Sequence, residues 1–195
     1  MMIAQTNEVR WWRIPRVRFP PFADVLSWCR ERQHADTMLL AARLRESGRP
    51  TDFLTPGVDK TVRKLFSGKI RQELRAKGWP GTLLTNGLGL IYVVDYTAET
   101  ERQLLEAEPE LFSWKHQHRP PLPEDICLLR KGYLYPCLVT VTHEHDGWLL
   151  TGSRVPPFKG LQNDTCEESF LFDGTLFCED AFMTVRGRSP SSLRR

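Results

Sequence analysis

Thr82-Leu83-Leu84-Thr85-Asn86-Gly87-Leu88-Gly89-Leu90-Ile91-Tyr92-Val93-Val94-Asp95-Tyr96 is where the chain changes character. Before it, apolar residues recur at helical spacing. From it onward they gather in short β-branched and aromatic runs. Asn-Gly supplies the positive φ angles of a type I′ turn, so Thr82–Thr85 and Leu88–Tyr96 read as the arms of a hairpin. Gly89, inside the second arm, marks a bulge.

Downstream the same signature recurs. Glu99–Ala107 reads as a short acidic helix ended by Pro109, and Trp114–Asp125 as a Pro-rich connection. Tyr133–His145 and Trp148–Val155 flank Asp146-Gly147, and Ser169–Phe172 and Thr175–Cys178 flank Asp173-Gly174. Two more hairpins follow from those dipeptides. The second is apolar on both faces (Phe170, Phe172 and Phe177; Leu171 and Leu176), as befits a strand pair covered on both sides.

Upstream, residues 9–19 alternate Arg with large apolar groups around Pro15, which predicts an edge strand with Trp12 and Ile14 on one face and Arg13 on the other. Phe22 to Gln33 places Phe22, Val25, Leu26 and Cys29 at i, i+3, i+4, i+7, a helix. A second helix is read from Asp36 through Met38, Leu39, Ala42 and Leu44 to Gly48. A third is read over Asp59–Lys77, with Val62, Leu65, Phe66, Ile70 and Leu74 on one arc. Gly68 costs about 1 kcal/mol inside a helix, so the alternative is a break at 67–68 with Ser67 capping a further helix and Gly78 stopping it. Helices first and hairpins after give an α+β class, with N-terminal helices packed on a mostly antiparallel sheet of hairpins. Residues 1–185 form one such domain, and 186–195 a flexible basic tail.

The composition limits the function. At 195 residues, with 41% hydrophobic and 10% aromatic content, the chain buries a core without disulfides. It has no apolar run long enough to span a membrane. The net charge of +3 conceals opposed halves: residues 1–80 sum to +8 and residues 81–180 to −9. Such a dipolar field biases partner choice and association rate. Five cysteines without a CxxC pair, and an N-terminus without an apolar h-region, fit a reducing cytoplasm.

The residues offer three kinds of site. His143 and His145, like His116 and His118, are spaced HxH, which on a strand points both imidazoles one way; with Asp146 beside them a metal-dependent hydrolase is conceivable. Against it, a two-residue Asp146-Gly147 turn sets His145 opposite Trp148 and His143 opposite Leu150, an ordinary cross-strand stack. Of the thiols, Cys137 shares a strand face with Val139 and Val141, Cys29 lies on the apolar side of its helix, and Cys166 precedes Glu167 and Glu168, which raise a thiol pKa. Lys60, Arg63, Lys64, Arg71 and Arg75 form a basic stripe on the 60–75 helix, and Trp11 and Trp12 stand among Arg10, Arg13, Arg16 and Arg18. That mixture of charge and stacking suits a nucleic-acid-binding accessory protein, although the acidic second half repels a polyanion. No nucleotide-binding or cofactor fingerprint is present, and no cofactor is expected.

Phe66-Ser67-Gly68-Lys69-Ile70-Arg71-Gln72-Glu73-Leu74-Arg75-Ala76-Lys77-Gly78-Trp79-Pro80-Gly81 resembles a cap–helix–Gly–strand element that recurs in immunity proteins of bacterial polymorphic-toxin systems. The resemblance carries no catalytic residue. It implies a small cytoplasmic protein that blocks a cognate toxin by surface complementarity. The expected contact residues are Trp11, Trp12, Arg13 and Arg16, or the acidic tips Glu144, Asp146, Glu167 and Glu168. Trp and Arg dominate binding hot spots, and complementary fields speed capture. The leading expectation is therefore a non-enzymatic protein-binding module of the immunity type.

Overall fold

The computed structural model describes residues 10–15, 20–45, 53–54, 57–84, 88–114, 120–131, 136–164 and 182–184. In chain order the elements are β1 (Arg10–Arg13), α1 (Phe22–Arg32), β2 (Ala35–Arg45), β3 (Phe53–Leu54), α2 (Val58–Leu65), β4 (Ile70–Ala76), β5 (Gly78–Trp79) and β6 (Thr82–Leu83). Then come β7 (Gly89–Asp95), α3 (Ala98–Ala107), β8 (Asp125–Arg130), β9 (Pro136–Val141), β10 (Asp146–Thr151), β11 (Gln162–Asp164) and β12 (Phe182–Thr184). Among the described residues ten strands form one sheet, in the order β11-β1-β10-β9-β8-β2-β7-β4-β12, with β3 beside the end of β2. Its pairings are antiparallel, and the chain has an α+β fold. No described helix is long and apolar enough to cross a membrane.

Helix α1 follows the sequence expectation: Phe22, Val25, Leu26 and Cys29 are its buried residues. Helix α3 is opened by a reciprocal cap, in which the Thr97 hydroxyl accepts from the Thr100 N–H and the Thr100 hydroxyl accepts from the Thr97 N–H. Other expectations change. The helix expected from Asp36 to Gly48 is instead β2, a central eleven-residue strand paired to β7 on one side and β8 on the other. Its run ADTMLLAARLR lacks apolar–polar alternation because both faces are covered. Met38, Leu40 and Ala42 point to one core cluster, while Leu39 and Ala41 point to the other.

The long helix 59–77 is also corrected. Helix α2 ends at Leu65, the chain turns at Ser67-Gly68 with Gly68 at φ +72°, and Ile70–Ala76 is strand β4. A register shift against β7 between Ile70 and Gln72 leaves Ile70 on the helix side and Leu74 and Ala76 on the opposite face. That two-faced pattern imitates a helical arc. The segment that carried the immunity-protein resemblance is thus a turn, a strand and a small ribbon. The ribbon pairs β6 with β5 across Pro80-Gly81, so β6 is not the hairpin partner of β7. Strand β7 lies between β2 and β4, and Asn86-Gly87 falls outside the described residues.

At the β9–β10 hairpin the turn is Thr142–His145, with His145 left-handed at φ +56°. Asp146 and Gly147 sit inside β10, opposite Val141 and Thr140, and Trp148 faces Val139 rather than His145. Strand β1 is not an edge, because β11 pairs along its other side. The apolar hairpin expected at 169–178 and the tail 186–195 lie outside the described residues.

All three helices cover one face of the sheet. Val25, Leu26, Val62, Phe66 and Leu104 join Met38, Leu40, Tyr92, Val94, Ile126 and Leu128 in one cluster. The opposite face gathers Leu39, Leu74, Ile91, Val93, Cys127, Val139 and Leu150 around Trp79. Polar ties lock the helices down. Tyr96 donates to the Leu26 carbonyl (3.0 Å) and to Glu101 (2.9 Å), which also accepts from Arg30 (2.8 Å). Arg63 of α2 forks onto Glu73 of β4 (2.7 and 2.9 Å) and donates to Asp59 (2.8 Å), which accepts from Tyr92 (2.8 Å).

Candidate interaction surface at one end of the sheet

The strand registers bring the ends of β1, β2, β4 and β9 together with the starts of β7, β8 and β10 at one rim. Of the residues singled out from the sequence, Arg13, His143, Glu144, His145 and Asp146 are found there. At its base lies Asp125, wholly buried. Its Oδ2 accepts from the Trp79 indole (2.6 Å) and the Thr82 hydroxyl (3.1 Å), and its Oδ1 from the Thr142 N–H (2.7 Å). Burial pushes its carboxyl above the ordinary range, against the pull of those three donors. With its oxygens so engaged, Asp125 holds the β5–β6 ribbon and the β9–β10 turn to the sheet.

Above it the rim is a band of paired charges. Arg43 donates to Glu124 (3.2 Å) and lies 3.3 Å from the His143 Nε2, which is 3.5 Å from Glu144. Arg13 donates to Asp146 at 2.7 Å. The ring of His145 tilts against Phe112, with centroids 6.1 Å apart. The two imidazoles sit on a turn, where the period-two rule does not apply, and each meets a different neighbour. Among the described residues no group of three His, Cys, Asp or Glu side chains is arranged to hold a metal ion. His116 and His118 lie outside them.

Of the residues read as two separate groups, Arg13 and Asp146 lie side by side, since β1 pairs with β10 and the Ile14 N–H donates to the Gly147 carbonyl (2.8 Å). Trp12 turns into the core and is 6% exposed, and Asp146 is 8% exposed beneath Arg13, so neither is a free contact residue. The strand pleat explains Trp12, which shares the helix-side face with Ile14, and the Arg13 guanidinium covers Asp146. Trp11 is half-buried against the opposite cluster, whereas the side chains of Arg13 (44%) and Glu144 (61%) reach solvent. Arg16, Glu167 and Glu168 lie outside the described residues.

The basic stripe is divided. Lys60, Arg63 and Lys64 belong to α2, while Arg71 and Arg75 belong to β4. Arg63 is bound by Asp59 and Glu73, and Arg71 by Asp95. Cys29, Cys127 and Cys137 are buried, and burial pushes the Cys29 and Cys127 thiols up, away from the reactive thiolate. Cys137 joins the helix-side cluster, not the face of Val139 and Val141, because the β8–β9 register shifts between Leu128 and Leu129. Cys166 and Cys178 lie outside the described residues.

From the sequence, the adjacent carboxylates Glu124 and Asp125 read as a solvated acidic face; both are buried, and the donors to Asp125 come from two distant stretches of chain, the β5–β6 ribbon and the β9–β10 turn. The one available signal was a carboxylate directly before the apolar run Ile126-Cys127-Leu128-Leu129. Comparison with protein-family models, with curated proteins and with solved structures finds no match.

Proposed function

We propose that this chain is a non-enzymatic protein-binding module that neutralises a bacterial toxin domain by direct contact. The observation that carries this reading is the charged rim, where Arg13 with Asp146, Arg43 with Glu124, and the exposed Glu144 set charges of both signs over adjoining strands and a turn. Charges of both signs held in fixed register discriminate between partners, since a mismatched surface meets like charges. Trp11 and Arg13 belong to the residue types that dominate hot spots. The buried, raised thiols and the divergent imidazoles support a binding role over catalysis.

The test starts at the adjoining gene, where this reading expects a secreted protein with a C-terminal toxin domain; that domain is produced for the assays, and a neighbour without one overturns the reading. Co-expression with the chain restores growth, the two co-elute in gel filtration, and Glu144→Lys weakens the complex at least tenfold without lowering the melting temperature. The reading is overturned if the purified proteins form no complex, or if the toxin is chemically altered in proportion to incubation time.

A further inference from the structure

The connection from β10 to β11, Gly152-Ser153-Arg154-Val155-Pro156-Pro157-Phe158-Lys159-Gly160-Leu161, plays no part in the rim. Val155 is 69% exposed and, among the described residues, is the one large apolar side chain on the surface. The loop around it is firmly built. The Ser153 N–H donates to the Thr151 hydroxyl (2.8 Å), and the Val155 N–H donates to the Ser153 hydroxyl (3.0 Å), which donates in turn to the Val155 carbonyl (3.1 Å). Phe158 packs edge-on against Trp28 of α1, with centroids 6.0 Å apart, and Leu161 is buried. Each proline fixes its own φ and holds the residue before it extended, so Val155-Pro156-Pro157 is restricted before any partner arrives.

We propose that this loop is a preorganised docking element that inserts Val155 and the two proline rings into an apolar pocket on the protein partner, flanked by carboxylates. The inference rests on the protein-binding reading and names a contact for it. The backbone decides the mode: Pro156 and Pro157 have no N–H, and that of Val155 is taken by Ser153. The tip therefore has no donor to add to a partner's sheet edge, and recognition runs through side chains entering a pocket. The exposed Arg154 and Lys159 bracket the apolar tip, which calls for acidic groups at the pocket's margins. An element already fixed in shape loses little freedom on binding.

The experiment is calorimetric titration of the full chain with the same neighbouring toxin domain, run on wild type, Val155→Asp, Pro156→Gly and the pair Arg154→Glu with Lys159→Glu. Melting temperatures serve as the folding control. The expected result is a loss of at least tenfold for Val155→Asp, a smaller loss for Pro156→Gly, and a loss for the charge-reversed pair that shrinks as salt rises. Wild-type binding with Val155→Asp within twofold of it overturns the docking loop and leaves the binding reading standing. Absence of wild-type binding removes both.

Discussion

Gly89 shows how much one residue can settle. A Cβ at this position would lie 2.3 Å from the Trp79 ring, so the residue is glycine to let the indole lie across β7 and reach Asp125. Gly89→Ala is expected to cost about 2 kcal/mol, as overpacking of a filled core does, and urea unfolding followed by tryptophan fluorescence measures it. Asp125 gives the pH prediction. Its folded pKa lies above the unfolded value, so the folded state holds the proton more tightly across that window. The contribution is fully present below the ordinary carboxylate range and is lost as pH rises towards the raised value. Asp125→Asn should abolish that slope; a difference in urea midpoint between variant and wild type that stays constant from acid to neutral pH would refute it. At this scale the sequence was legible where neighbours in the chain are neighbours in space, as with Phe22, Val25, Leu26 and Cys29. It misplaced Asp125 on a solvated face, because Trp79, Thr82 and Thr142 converge on it only after the sheet is assembled.

Among the elements, α1 was readable from a single apolar stripe and α3 from its acidic run closed by Pro109, whereas β2 and β4 were read as helices. The causes differ. The middle of β2, Met38–Ala42, is buried on both faces and carries no polar position to mark its period, whereas in β4 a register shift spreads the apolar residues as a helix would. The junction of α1 with β2 yields a prediction of its own. His34 follows the helix in the left-handed region at φ +53°, exposed, with its carbonyl accepting from the Lys131 N–H (2.9 Å). Glycine adopts that conformation without strain, so His34→Gly is expected to raise stability by about 0.5–1 kcal/mol, and His34→Val to lower it. Thermal melts of the two variants check both signs.

For the molecule as a whole, α+β followed from the succession of helical and strand-like segments, but the order of strands did not, since pairing across the sheet is not local. The rim was half legible: Arg13, Glu144 and Asp146 were picked out, yet as two separate faces. The centre of the sheet predicts the pattern of amide exchange. Amides of β2 and β7, paired on both sides and covered on both faces, are expected to exchange only through global unfolding, and those of β11 near the surface far sooner, as mass spectrometry in deuterated buffer resolves. One pairing reaches further than the rest. Strand β1 lies between β10 and β11, and its Arg13 meets Asp146 across 133 residues of chain. During synthesis, β1 must therefore wait, its backbone groups hydrogen-bonded only to water, until β10 and β11 have emerged. Chaperones that shield unpaired segments then have a natural client in this strand, and a premature stop before residue 146 would strand Trp11 and Trp12 in solvent.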